Sequence, residues 1–216
     1  MNRTYRILIP VGGLLCLLVM GCAGSSPRFT SGNNGTVSSK PKFSSDETPE
    51  DLKVEAKEIK AEDDRTVSPD RLRDEISHAE KMSPGSPRSK LIQAIMSYIG
   101  TPYRIGGVDH SGMDCSGFSM VIFNSVFDIG LPHSAREQAR LGERVSKDEL
   151  KVGDLVFFRT VGRRISHVGI YIGDDLFANA SVSEGVTISS LDSTYYRRRY
   201  AGARRITSTD ITDGTQ

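Results

Sequence analysis

The chain has 216 residues, enough for one domain plus additional segments, and a formal net charge of +1 at pH 7. A balance this close to zero gives the whole chain no electrostatic basis for gripping nucleic acid. Three cysteines are present, Cys16, Cys22 and Cys115, and what they mean depends on where the mature N-terminus falls.

Arg3 and Arg6 form a basic leader, and residues 7–20 are an apolar run. At about 1.5 Å per residue this run is too short to span a bilayer comfortably as a stop-transfer helix, so 1–22 is expected to be a signal peptide. It ends in Val19-Met20-Gly21-Cys22, which looks like a bacterial lipobox in which Cys22 is lipidated and becomes the mature N-terminus. The alternative is an ordinary secretory signal in which Cys22 is incidental. Ala23, in place of Asp, resembles the default outer-membrane sorting pattern of diderm bacteria. With Cys16 removed and Cys22 carrying lipid, no second cysteine remains to form a disulfide with Cys115 in an oxidising compartment.

Residues 23–50 are rich in Ser, Gly, Asn, Thr and Pro and read as a linker. Residues 50–82 become charged and helix-favouring. Leu52, Ala56 and Ile59 share helical spacing, as do Leu72, Ile76 and Ala79, but each stripe is thin and flanked by charge. Transient or solvent-exposed helices are expected, with a partner-binding amphipathic helix as the alternative. A flexible charged stalk over 23–86 would have a span of about 45 Å.

The compact part is expected over 87–206, followed by a disordered tail over 207–216. Leu91, Ile92, Ile95, Met96 and Ile99 form one apolar helix face that Gly100 stops. The glycine-rich stretch 103–116 follows, and Asp114 is a good N-cap that would put Cys115 at the first position of a buried helix ending at Gly130. Residues 134–141 read as a short polar helix. Beyond Gly142 the texture becomes strand-like, with strands expected at 154–159, 167–172, 176–181, 186–189 and 200–206. Hairpin turns fit 162–164 and 173–175. Helices first and strands after them predict an α+β domain with an antiparallel sheet.

At a helix start, backbone N–H groups and the helix dipole favour thiolate over thiol, which makes Cys115 a candidate nucleophile. The competing role is a small core residue. A cysteine nucleophile needs a base, and the chain offers His78, His110, His133 and His167. His167 opens the apolar strand HVGIYIG and is placed at the sheet edge, where a side chain can face a cleft. Asn179, inside LFANAS, would lie near it across a hairpin ladder and could fix the imidazole tautomer. Otherwise Asn179 is a turn-adjacent residue facing water.

The segments GTPYRIGG, GMDCSGF, LPHSAREQ, KVGDLVFFRT, SHVGIYIGD, LFANAS and RRYAGARRI resemble, in order and spacing, the NlpC family of cell-wall cysteine peptidases across about residues 88–206. The resemblance implies a papain-like antiparallel sheet with helices packed on it. It implies cleavage of peptidoglycan stem peptides, commonly between D-γ-glutamate and a diamino acid. Position by position it makes Cys115 the nucleophile, His167 the general base and Asn179 the third polar residue, where the family most often has histidine. Tyr103 matches a tyrosine whose hydroxyl, with the Cys115 N–H, can form an oxyanion hole. Asp114 and Ser116 match positions that line the substrate groove and shape the helix start. His133 replaces an arginine usual in the turn before the short polar helix.

The implied reaction is acyl transfer to a thiol, through a thiolate–imidazolium pair. No cofactor and no metal are expected, because Cys115, His110, His133 and His167 match no compact zinc-ligand spacing. Non-hydrolytic wall binding, or acyl transfer to an acceptor other than water, are alternatives on the same fold. The expected partners are peptidoglycan stems and, through the lipid, a membrane, with no nucleic acid and a monomeric state. The run Arg197, Arg198, Arg199 with Arg204 and Arg205 reads as a solvated edge near the end of the sheet.

Overall fold

The computed structural model describes residues 48–62, 74, 77 and 85–207. The signal, Cys22, the linker up to residue 47, most of the second charged stripe with Leu72, Ile76 and Ala79, and the tail beyond 207 lie outside the described residues.

Helix α1 spans Pro49–Glu62 and α2 spans Pro87–Tyr98. Ser86 caps α2 by accepting from the Ser89 N–H, Pro87 opens it, and Gly100 beyond its end takes a φ of 84°. Two short strands, β1 (Val108–Asp109) and β2 (Gly112–Met113), form a hairpin that strand periodicity did not disclose. Helix α3 runs Cys115–Phe127. It ends at Asp128, not Gly130: Asp128 adopts the left-handed conformation with φ 57°, and the Ile129 N–H donates back to the Phe123 carbonyl at 3.3 Å. A single turn, α4, follows at Ala135–Gln138.

The remaining strands are β3 (Glu143–Val145), β4 (Leu155–Phe158), β5 (His167–Gly173), β6 (Leu176–Ser181), β7 (Gly185–Ser190) and β8 (Tyr200–Arg205), with α5 (Thr194–Arg199) before the last. They form one six-stranded sheet in the order β3-β8-β4-β5-β6-β7, and every pairing is antiparallel. The α+β class and the antiparallel sheet are as the sequence predicts.

Both faces of this sheet are covered, which explains why LVFF of β4 is buried at all four positions. Leu155 and Phe157 pack with Leu91, Phe118 and Ile122 on the side of α2 and α3. Val156 and Phe158 pack on the other side with Phe177, Tyr195, Tyr196 and Ile59. Ile59 belongs to α1, so that helix is docked rather than solvent-exposed. Its stripe is the expected one, and α5 supplies the surface for it: burying one isoleucine contributes roughly 1.5–3 kcal/mol. Arg199, expected at a solvated edge, instead donates to Glu62 at 3.0 Å and Glu58 at 2.9 Å and stands 3.9 Å over the Tyr195 ring.

Candidate active site

Asp114 organises the start of α3. Its Oδ1 accepts from the Gly117 N–H at 2.7 Å and its Oδ2 from the Gly106 N–H at 2.7 Å. Ser116 Oγ donates to it at 3.0 Å, and His133 Nε2 lies 3.0 Å from each oxygen. Burial pushes the Asp114 carboxyl up, but His133 and the amide donors outweigh it and hold the group below the usual carboxylate range. Gly117 is required here, because a Cβ would stand 2.2 Å from the Gly107 carbonyl oxygen and 2.9 Å from His133 Nε2.

This cap delivers Cys115 as the first helical residue, only 5% exposed. Its Sγ lies 3.8 Å from the carbonyl oxygen of Ser166, the residue immediately before His167. The fold thus closes 51 residues of chain onto the base of the candidate histidine.

His167 begins β5, which is an interior strand of the sheet and not an edge; the residue occupies the strand's end, opposite Phe158 on β4. Its Nε2 lies 3.0 Å from Asn179 Oδ1. Ile170 is opposite Ala178, so Asn179 and His167 lie diagonally on one face of the ladder, within side-chain reach. Asn179 is wholly buried, so it does not face water. Its Nδ2 donates to Ser189 Oγ at 3.0 Å, which turns Oδ1 toward the imidazole. Tyr196 O–H also donates to that oxygen, at 3.4 Å. An accepting oxygen at Nε2 places the ring proton there and leaves Nδ1 as the basic nitrogen.

Burial pushes His167 down to about 4, against the raising effects of Asn179 and of the Asp114 charge. Phe158 and Tyr196 wall the ring, with centroids at 5.9 and 6.0 Å. An isolated imidazolium is therefore unfavourable in this pocket. The ring can hold a second proton only against a compensating anion, which an ionised Cys115 would supply.

The other expected residues divide. Tyr103 forms a backbone bridge with Met113, two residues before Cys115, and packs against the core cluster that includes it. Ser116 is 6% exposed and gives its hydroxyl to Asp114, at the helix start. His110 stacks on Tyr98 with centroids 4.3 Å apart, and His133 belongs to Asp114. His110 and His133 thus each have a partner of their own. Ser189 and Tyr196, which orient Asn179, carried no signal in the sequence: both sit in runs of their own kind, and only the packing of α5 and β7 against β6 brings them in.

The described residues thus place a helix-borne cysteine against the carbonyl that precedes a strand-borne histidine, and that histidine against an asparagine, on an antiparallel sheet covered by helices. The model of the NlpC/P60 family matches residues 100–205. The probable endopeptidase NlpC of Escherichia coli strain K12 is 48% identical over 113 residues, which cover 52% of this chain and 73% of that protein. The chain belongs to the NlpC/P60 family. A probable endopeptidase NlpC homolog of Haemophilus influenzae is 51% identical over 109 residues, covering 50% of this chain and 57% of that one. A murein DD-endopeptidase MepS/murein LD-carboxypeptidase of E. coli K12 is 44% identical over 121 residues, covering 56% and 64% respectively. The chain therefore spans less than two thirds of the length of two of these three curated relatives. The crystal structure of an NlpC/P60 family protein from Bacillus cereus superposes with a TM-score of 0.52 at 35% identity, covering 56% of this chain and 41% of that one.

Proposed function

We propose that this protein is a cysteine endopeptidase of peptidoglycan stem peptides, cutting a D-γ-glutamyl–diamino acid bond. The observation that carries the reading is the His167–Asn179 hydrogen bond, with Cys115 Sγ seated against the carbonyl of the residue preceding that histidine.

In this mechanism Cys115 Sγ gives its proton to His167 Nδ1 and attacks the scissile carbonyl. The oxyanion is met by the Cys115 N–H at the helix start and by the Tyr103 hydroxyl, each contributing on the order of a few kcal/mol. The imidazolium then protonates the departing amine, the carbon–nitrogen bond breaks, and a thioester remains on Cys115. His167 next takes a proton from water, which hydrolyses the thioester and restores the thiol. Asn179 keeps the ring in the tautomer that both half-reactions need. The supporting names are those of the relatives, a probable endopeptidase and a murein endopeptidase.

The finer placement follows the N-terminal motif. Cys22 carries lipid, the chain is anchored in the bacterial envelope with the domain facing the periplasm from the outer membrane, and the segment after Cys22 is the tether. The protein works as a monomer.

The test is mass spectrometry of defined muropeptides incubated with the chain lacking its first 22 residues. The expected product is a fragment with a new N-terminal diamino acid, absent with Cys115→Ala. Equal cleavage by both proteins would refute the reading, as would failure of iodoacetamide to label Cys115 at neutral pH. Radiolabelled palmitate incorporation that is lost in Cys22→Ala tests the anchor.

A further inference from the structure

One cleft of about 600 Å³, lined from α4, β3, the β4–β5 loop and β8, has no part in the chemistry above. Arg136, Arg140, Arg144, Arg164 and Arg204 line it, together with Ile165 and one alanine, and none of the lining residues is acidic. In a chain whose formal net charge is +1, five guanidinium groups around one cavity are a strong local concentration of positive charge.

The two walls come from elements that also touch Cys115 and its helix. Arg136 is on α4, whose Gln138 donates to the Ser116 carbonyl at 3.1 Å. Ile165 directly precedes Ser166, whose carbonyl oxygen is the 3.8 Å neighbour of Cys115 Sγ. The cleft and the Cys115 helix thus share two supporting segments, α4 and the loop that ends at Ser166. Arg204 is held by backbone carbonyls, its Nε donating to Ala139 at 2.7 Å and a terminal nitrogen to Gly142 at 3.5 Å. Those bonds fix the guanidinium without cancelling its charge. Burial, and then the nearby charge of Arg144, make that cation less favourable than an ordinary arginine. Exposed arginines at 140, 144 and 164 crowd the same opening. Like charges gathered this way raise the local concentration of anions.

We propose that this arginine cleft binds free carboxylates of the stem peptide, so that the enzyme selects stems whose carboxyl groups are unmodified over stems in which they are amidated. The inference rests on the proposed peptidase reading for its ligand. A γ-linked glutamate keeps its α-carboxyl free beside the scissile bond, and the diamino acid and the peptide's C-terminus offer further carboxylates. Guanidinium is the side chain whose paired N–H donors fit a planar carboxylate, and a carboxamide offers only one acceptor oxygen and no charge.

The experiment uses the chain lacking its first 22 residues and two synthetic stem peptides that differ only in amidation of their carboxyl groups. Binding is measured by calorimetry on the Cys115→Ala protein, and cleavage on the protein with Cys115. The acidic peptide is expected to bind about tenfold more tightly, from two or more contacts each worth a few-fold, and the difference to fall as salt rises. Cleavage is expected to show the same preference in KM rather than kcat. Arg140→Gln with Arg144→Gln should bring the ratio close to one with little change in melting temperature, and Arg140→Lys with Arg144→Lys should retain part of it. Equal affinity for both peptides overturns the proposal. So does a preference unchanged in the glutamine variant, or binding of inorganic polyphosphate with no binding of the acidic peptide. Binding preference without cleavage of either peptide would remove the peptidase reading and leave the cleft assignment standing. Equal cleavage at equal affinity would do the reverse.

Discussion

Asn179 Oδ1 lies 3.0 Å from His167 Nε2, and both side chains are buried, on neighbouring antiparallel strands. The amide nitrogen donates to Ser189 Oγ, and the oxygen also accepts from the Tyr196 hydroxyl, which together favour this orientation. A ring held in this way carries its proton on Nε2 and leaves Nδ1 as the basic nitrogen.

Replacing Asn179 by Ala should therefore cost less activity than replacing Cys115. Loss of a nucleophile removes on the order of 10⁶ in kcat, and loss of an orienting residue roughly 10⁴ or less. Single-turnover hydrolysis of one muropeptide by Cys115→Ala and Asn179→Ala proteins would show the ranking. Equal losses would mean that Asn179 holds the fold of the site and not merely the ring.

His167 should titrate near 4 in the Cys115→Ala protein, where no thiolate can compensate its charge; imidazole NMR shifts report this directly. The folded value lies below the ordinary 6.5, so the unfolded chain binds more protons between those limits. Stability is then fully present above pH 6.5 and is lost as pH falls through about 4. The amount is roughly 3 kcal/mol. Urea unfolding of Cys115→Ala with and without His167→Gln, from pH 7.5 to 4, should show the two curves converging as pH falls.

Glu55 is expected to make the docking of α1 pH-sensitive in the opposite direction. Burial raises its carboxyl to about 7, against hydrogen bonds from Thr160 and Tyr195 and the charge of Arg199, with Glu58 adding to the rise. A raised folded value stabilises below about 4.5, and that contribution disappears as pH climbs through 7. Hydrogen exchange of the amides of α1, corrected for intrinsic rate, should speed up from pH 6 to 8. Glu55→Gln should make that protection nearly independent of pH. Arg199→Ala should lower it at every pH, since Arg199 also pairs with Glu58 and Glu62.

His133→Ala should destabilise the protein by about 1–2 kcal/mol, because Asp114 would keep its burial and lose a donor to both oxygens. The Asp114 carboxyl should titrate higher than before, visible in its carbonyl carbon shift. An unchanged titration would mean that the amides of Gly106 and Gly117 suffice to hold the charge.

The local grammar of this chain was readable residue by residue. Ser86-Pro87 opens a helix, Asp114 caps the next and puts Cys115 first, and the alternating runs after Gly142 become antiparallel strands, because these signals act over a few residues through backbone hydrogen bonds and side-chain periodicity. The family resemblance was carried by the same short segments. What only the tertiary structure decided were contacts between parts far apart in sequence. Nothing within 49–62 says that Ile59 and Glu55 will be covered, because the surface that covers them is made by Tyr195 and Arg199, about 140 residues later. Arg136, Arg140, Arg144, Arg164 and Arg204 look like scattered surface charges along the chain, and they share one cleft because α4 and the residues after it, β3, the β4–β5 loop and β8 meet there. Short-range preference fixes which residues become helix or strand; which faces are buried, and which charges must live together, follows from how those elements pack.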